Sequence, residues 1–265
     1  MVGQEVCVAG QDNREHPDTG TVIITGASRG IGAATALLAA KRGFVVAVNF
    51  ATGKNEADEV VSRIQASGGK AAAIQADLGR EEDIVRLFTE AERKLGPLRG
   101  LVNNAGVTGG FARAEDVTAA MLERLLAVNV AGAILCAREA VKRMSTKHGG
   151  SGGAIVNISS LAARTGSPGE WVHYAATKGA IDTFTIGLAR EVAKEHIRVN
   201  AVAPGLVETG IHAANGEPGR LDRLKPSIPL GRPGKPEEIA EAVVWLLSSA
   251  SSYVTGSVLE VGGGR

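Results

Sequence analysis

The sequence predicts a doubly wound α/β protein: one parallel sheet of seven strands with helices on both faces. Three observations carry this expectation. Short β-branched runs alternate with longer helical patterns from Thr21 to Val261, and parallel strands need crossovers long enough to hold a helix, which then covers a face of the sheet. A glycine-rich turn joins the first strand to the first helix. No internal repeat or interdomain linker interrupts the alternation, so residues 21–265 read as a single domain.

Residues 21–25 form a β-branched run bounded by turn signals, the mark of a strand. Gly26-Ala-Ser-Arg-Gly30-Ile-Gly32 follows, and then an Ala/Leu-rich helical pattern over 33–41. Glycines let the backbone turn tightly and approach a pyrophosphate, and a helix N-terminus supplies free N–H donors. Strand, glycine turn and helix together point to a nucleotide site. The spacing is G-x-x-x-G-x-G rather than the commoner G-x-G-x-x-G. Strand 44–49, helix 55–66, strand 71–75, helix 81–94 and strand 101–103 continue the alternation. A long helical stretch spans 118–147. Asn129 within it is a poor helix former and predicts a kink or a water-holding role. Strand 154–158 runs into Ser159-Ser160, helix 174–194 follows, and strand 197–202, helix 236–248 and strand 257–261 complete the chain. Residues 205–236 are irregular and rich in Gly and Pro, and long loops of this kind in compact domains are usually functional.

Composition bounds the function class. A chain of 265 residues with 44% hydrophobic and 22% charged content is ordinary for a globular protein with a large core. A net charge of +1 suggests neither a nucleic-acid partner nor an anionic membrane. No unbroken run of 18 or more apolar residues predicts a spanning helix. Cys7 and Cys136 are too few and too far apart for a disulfide framework, and a reducing cytoplasm is the simplest home. Five scattered histidines give no support for a metal site. Residues 1–20 are polar and unpatterned, lack the apolar core of a secretory signal, and are expected to be a disordered extension.

Tyr174 and Lys178 stand four apart in a helical pattern, just after Ser159-Ser160. Residues four apart share a helix face, so the ammonium can lie beside the phenol. A phenol titrates near ~10, and a neighbouring cation lowers that value. With Ser160 holding the same oxygen, the group is equipped to move a proton on or off an alcohol or carbonyl.

Thr25-Gly-Ala-Ser-Arg-Gly-Ile-Gly32, Asn103-Asn-Ala-Gly106, Asn129, Ser160, Tyr174-x-x-x-Lys178 and Pro204-Gly205 come in an order and spacing that resemble the short-chain dehydrogenase/reductases, over about residues 20–264. Within that family the chain resembles the 3-oxoacyl-carrier reductases and glucose 1-dehydrogenase-like members. The resemblance implies a Rossmann-type fold and an oxidoreductase that passes hydride between a nicotinamide and a carbonyl or secondary alcohol. It implies Asn129, Ser160, Tyr174 and Lys178 as catalytic residues, with Tyr174 the general acid/base and Asn129 joined to Lys178 through water. It places the cofactor against Gly26, Ser28, Arg29, Gly30, Ile31 and Gly32, against Asn49 and Phe50, and against Asp77 and Leu78 at the adenine. Asn104, Ala105, Gly106, Tyr174, Lys178, Pro204, Gly205, Val207 and Thr209 complete that set. It also implies a homotetramer paired through helices 118–147 and 174–194 and the last strand.

The second strand ends Val48-Asn49-Phe50-Ala51-Thr52 without the acid that binds a ribose 2′-hydroxyl. Arg29 can reach a 2′-phosphate, with Lys54 near, so NADP(H) is favoured over NAD(H). Ser160 precedes Tyr174 by 14 residues, one more than the family's usual spacing, and the extra residue is expected to bulge the loop 164–169. The tail Gly262-Gly-Gly264 departs from the usual Asp-Gly-Gly. Segments 107–117 and 205–236 are expected to build the substrate pocket, with Trp171 beside it and Arg113 the one candidate anchor for a carboxylate. A sugar or alcohol dehydrogenase and a 3-oxoacyl-carrier reductase are alternatives. For the carrier reductase, Arg220, Arg223, Lys225 and Arg232 offer a basic patch. A nucleotide-sensing scaffold is the alternative outside enzymes. His173, His196 and His212 are read as structural.

Overall fold

The computed structural model describes residues 20–210 and 217–265. The expected extension at 1–20 (save Gly20) and His212 lie outside the described residues. Seven parallel strands form one sheet in the order β3-β2-β1-β4-β5-β6-β7: β1 (Thr21–Ile24), β2 (Val45–Phe50), β3 (Ala71–Gln75), β4 (Leu98–Asn103), β5 (Gly153–Ile158), β6 (Ile197–Pro204) and β7 (Val258–Val261). The order reverses direction between β1 and β4. Ile24 lies opposite Val48 on one side and Val102 on the other. The crevice above that reversal is where open parallel sheets bind ligands.

Alternation along each strand divides the core in two. Val22, Ile24, Val46 and Val48 face α1 (Gly30–Lys41), α2 (Lys54–Ala66) and α9 (Pro236–Leu247). Ile23, Ala47 and Ile155 face α3 (Glu81–Leu95), α5 (Ala133–Met144) and α7 (Val172–Val192). Helix α3 shows why these segments are helical. Ile84, Leu87, Phe88, Ala91 and Leu95 make one buried stripe, while Glu81, Glu82 and Asp83 occupy the positive N-terminal turn and Arg93 and Lys94 the last. Helix α9 starts with Pro236 in its first turn and Glu238 accepting from the Lys235 N–H at 2.8 Å.

The helical stretch expected over 118–147 is composite. Helix α4 (Ala119–Leu126) passes into a π-helical turn, Ala127–Gly132, before α5 resumes. By length and composition Ala119–Met144 is apolar enough to cross a membrane, although it holds charged residues. Its Cys136, Ala137, Ala140 and Met144 are buried, packing one face of its second half on the sheet, while Leu122, Leu126 and Ile134 are exposed. Strand β4 starts at Leu98, three residues earlier than the pattern suggested, because Thr21 pairs with it there.

Between Ser160 and Tyr174 the chain makes a single helical turn, α6 (Ala162–Thr165), and takes left-handed backbone at Gly166, Ser167 and Gly169. Beyond β6, the short helix α8 (Arg220–Leu224) lies within the irregular segment.

Candidate active site

The glycine turn is built for close approach. Gly26 has φ +61°, and a Cβ there would stand 2.9 Å from the Ala105 Cα. A Cβ at Gly32 would stand 2.5 Å from both the Gly26 carbonyl oxygen and the Asn104 Nδ2. No side chain fits, so the turn leaves α1 opening directly beneath the crevice. Asn104 pins it to β4: its Nδ2 donates to the Thr25 and Gly26 carbonyls at 2.8 and 3.0 Å. Asn103 points the other way, donating to Ala133 O and Asn157 Oδ1, each at 3.0 Å.

Asn49 is buried. Its Oδ1 accepts from the Gly26 N–H at 3.2 Å, and its Nδ2 donates to Ile74 O and Ala76 O at 3.3 and 3.2 Å. It ties β2 to β3 and to the glycine turn. Ala51 and Thr52 carry the exposed rim of the crevice on that side, and Arg29 stands exposed at the turn. Lys54 is paired with Asp58 on its own helix and is not among the residues lining the crevice.

Behind the middle of the crevice, the π turn directs the buried Asn129 to Val107, which lines it. Its Oδ1 accepts from the Val107 N–H at 2.9 Å, and its Nδ2 donates to Val107 O at 2.8 Å and Thr177 Oγ1 at 3.2 Å. The wider turn swings this side chain off the regular helical ladder, and such turns recur at functional sites. Gly106 lies between Asn129 and Lys178: a Cβ on it would stand 3.4 Å from Asn129 Oδ1 and 3.7 Å from Lys178 Nζ.

Helix α7 brings Tyr174 and Lys178 to the same place. Lys178 Nζ lies over the Tyr174 ring, 5.5 Å from its centroid, and donates to Ile158 O at 2.7 Å. Ser160 faces the same cavity and works to lower the phenol, whereas the Ser159 hydroxyl turns inward to Lys178 O at 3.4 Å. The electrostatics differ from the expectation that Lys178 lowers the phenol. Burial pushes the Tyr174 phenol up to about 12, against the Ser160 hydroxyl and the charge of Arg220. Burial likewise draws Lys178 down to about 8, with the Asp182 charge opposing it. Both groups are driven toward neutrality because desolvation here outweighs the polar and charged neighbours that favour their ionised forms.

On the substrate side, Trp171 stacks near Phe111 (4.8 Å between ring centroids) and stands edge-on to Tyr174 (6.0 Å). The Arg220 guanidinium of α8 lies 4.2 Å from the Trp171 ring centroid and pairs with Glu170 at 2.7 Å. Arg113, by contrast, pairs with Glu115 and is exposed, and it does not line the crevice. The tail glycines pack beneath this wall. A Cβ at Gly205 would stand 2.7 Å from the Gly262 Cα, and one at Gly262 only 2.2 Å from Leu161 Cδ1.

One cavity of about 710 Å³ joins these parts, from Arg29 and Asn49 past Asp77, Asn104 and Gly106 to Ser160, Tyr174 and Thr209. That size suits an extended small-molecule ligand. The bare glycine cradle at one end and the hydroxyl, phenol and ammonium at the other fit a dinucleotide whose reactive ring reaches Tyr174. Among the candidate residues, Gly32 and Asn129 do not line the cavity: Gly32 supports the cradle from behind, and Asn129 braces Val107, which does line it. The sequence pattern missed Arg124, Thr165 and Arg265, which line the cavity, whereas Thr108 and Arg220 fall in the two segments expected to build the pocket. For Arg124 a signal was present: it shares a helix face with Val128, four residues on, which also lines the cavity. Among the described residues no cluster of His, Cys, Asp and Glu is suited to a metal ion.

The comparisons agree with this geometry. Residues 26–265 match the family model described as enoyl-(acyl carrier protein) reductase. The chain is 54% identical to the uncharacterized oxidoreductase YgfF of Escherichia coli K12, over 92% of this chain and 98% of that protein. Among solved structures it is similar to a mutant short-chain dehydrogenase/reductase of Serratia marcescens, with a TM-score of 0.85 at 35% identity, covering 94% of this chain and 98% of that one. It is also similar to the angucycline C-6 ketoreductase LanV with bound NADP, with a TM-score of 0.85 at 34% identity and the same coverage. Sheet order, glycine turn and sequence thus converge: the chain belongs to the short-chain dehydrogenase/reductase family, enzymes that work a nicotinamide cofactor against CH–OH or carbonyl groups.

Proposed function

We propose that this protein is an NADP(H)-dependent oxidoreductase that interconverts a ketone or aldehyde and the corresponding alcohol, with Tyr174 as its general acid/base. The observation that carries the reading is the convergence of Tyr174, Ser160 and Lys178 at one end of a cavity whose other end is the bare glycine turn. Bound cofactor supplies or accepts the hydride at its nicotinamide ring. The chain does the rest. The Ser160 hydroxyl holds the substrate oxygen. The Tyr174 phenol, kept protonated by burial, gives its proton to that oxygen as negative charge develops there. Lys178 holds the nicotinamide ribose and returns a proton toward the phenol. Asn129, fixed to Val107 and Thr177, keeps the relay in place. Trp171 and Arg220 form the substrate wall.

The cofactor is held by the 26–31 turn, by Phe50, by Asp77 and Leu78, by 104–106, and by Pro204, Gly205, Val207 and Thr209. Preference for the 2′-phosphate is supported by exposed Arg29, by the absence of an acid after β2 and by Asn49 being fully occupied with backbone partners. A homotetramer in the cytoplasm completes the reading. Exposed Leu122, Leu126 and Ile134 at helical spacing on α4 and α5, with Ile186 on α7, support pairing through those helices, and sedimentation tests it.

The test is fluorescence titration with NADPH and NADH, followed by cofactor oxidation against ketones, diketones, quinones, sugars and acyl thioesters. Wild type should bind NADPH more tightly and turn over a carbonyl, while Tyr174→Phe binds NADPH and loses turnover by orders of magnitude. A Tyr174→Phe variant near the wild-type rate would falsify the mechanism.

A further inference from the structure

At the β3 end of the cavity, Ala76, Leu78 and Val128 make an apolar slot carrying two charged groups, Asp77 and Arg124. They are joined in a two-pronged ion pair, Arg124 Nη2 to Asp77 Oδ1 at 3.0 Å and Nη1 to Oδ2 at 3.1 Å. The backbone beneath is fixed as well. The Asp77 N–H donates to Asp83 Oδ2 at 2.9 Å, and Asp77 Oδ1 also accepts from the Gly79 N–H at 2.9 Å. A Cβ at Gly79 would stand 2.5 Å from Arg124 Nη1 and 3.3 Å from Asp77 Oδ1. The guanidinium therefore rests against bare glycine backbone, and a methyl there would push its end aside. Burial works to raise the Asp77 carboxyl, yet Arg124 and the Gly79 N–H together hold it below its ordinary range.

We propose that Arg124 is a positioning residue for the purine end of the cofactor: its pair with Asp77 aims an ionised carboxylate at the exocyclic amino group of the adenine. The inference rests on the dinucleotide reading above. An apolar slot takes a flat heteroaromatic ring by its faces, and a carboxylate at its rim accepts from an amino edge. Each carboxylate oxygen has room for more than one donor, and Oδ2 has Arg124 as its one partner among the hydrogen bonds of the described residues. The pair thus fixes the carboxylate at the rim of the slot and leaves an Oδ2 lone pair for a further donor. Such a half-exposed pair adds little to fold stability, so its geometry matters for the ligand more than for the fold.

The probe is NADPH against its hypoxanthine analogue, in which oxygen replaces the adenine amino group. Binding is measured by fluorescence on wild type, Arg124→Leu and Gly79→Ala; the added methyl of the latter occupies the guanidinium's place without removing a charge. Wild type should favour NADPH about tenfold, the size expected when a hydrogen bond to a charged group is replaced by repulsion. In both variants that preference should shrink to within about threefold, through weaker NADPH binding, with the loss in Kd and KM far larger than in kcat. Arg124→Lys should recover only part of it, since a point charge does not fix both oxygens. Undiminished discrimination in the variants, or none in wild type, overturns the role of Arg124. If Arg124→Leu shows no cooperative melt, Gly79→Ala decides alone. Wild type that binds neither NADPH nor NADH refutes the dinucleotide reading itself, and this inference with it.

Discussion

Lys178 and Tyr174 meet through the face of the ring: the ammonium stands 5.5 Å from the ring centroid while its hydrogen bond runs to Ile158 O, not to the phenol. Burial governs both groups, and it moves them in opposite directions, the phenol to about 12 and the amine to about 8. The site is thereby set to hold a neutral acid beside an amine that titrates close to physiological pH.

Stability should record this. Lys178 releases its proton near pH 8 when folded but near its ordinary 10.5 when unfolded. Between those values the unfolded chain binds more protons, so this group makes stability rise with pH, and below about 8 its burial is a constant penalty. Tyr174 acts in the opposite sense. Its ordinary value of 10.0 is raised to about 12, so its contribution is full below pH 10 and is lost between 10 and 12. Lys178→Met should abolish the rise between pH 8 and 10 in thermal melts without cofactor and should gain on wild type near pH 7. Parallel curves for the two proteins would refute the assignment.

Asn129 satisfies both backbone groups of Val107, in addition to its bond to Thr177. Asn129→Ala leaves those groups without their partner, at a cost of about 1–3 kcal/mol, and lets the chain beside Gly106 drift. Urea unfolding should show that loss, and turnover should fall with it. Unchanged stability would mean that water replaces the amide without penalty.

Cofactor preference separates two residues that look alike in sequence. Arg29→Ala should weaken NADPH binding by about tenfold, the loss of one charge-assisted contact, and leave NADH nearly untouched. Asn49→Asp imitates the acid of NAD-users yet should not convert the enzyme. Its side chain already donates to Ile74 O and Ala76 O, and a carboxylate there would face two carbonyls. We expect a loss of at least about 2 kcal/mol of stability and no gain in NADH affinity. A stable, NADH-preferring Asn49→Asp would contradict the geometry.

The strands were legible because β-branched runs such as Thr21–Ile24 stand out between turn residues, and the motifs fall at their carboxyl ends as the topology requires. Asn129 announced itself by being a poor helix former, but the sequence holds no mark of the i→i+5 register that turns it inward. Asn49 was found at the right strand end. Its direction depends on β2 being flanked by β3 rather than left at an edge, which local pattern does not reveal. Arg124 pairs with a residue 47 positions away, a contact that only the folded chain creates. The electrostatics of Tyr174 were misjudged for a related reason: a cation four residues away is visible in sequence, while the depth of burial that overrides it is not.

His173 offers a last test, because it sits beside Tyr174 without sharing its chemistry. It is 6% exposed, and neither ring nitrogen has a hydrogen-bond partner among the described residues. A Cβ at Gly109 would lie 3.2 Å from the ring, so the Nε2 edge packs closely against that glycine. A buried donor and acceptor left unmet cost about 1–3 kcal/mol, and an apolar group of similar shape avoids that cost. His173 does not line the cavity, as its neighbour Tyr174 does. His173→Leu should therefore melt at or above the wild-type temperature and keep wild-type turnover. Lower stability together with lost turnover would mean that the imidazole finds a partner in the working enzyme, and that this residue belongs to the site after all.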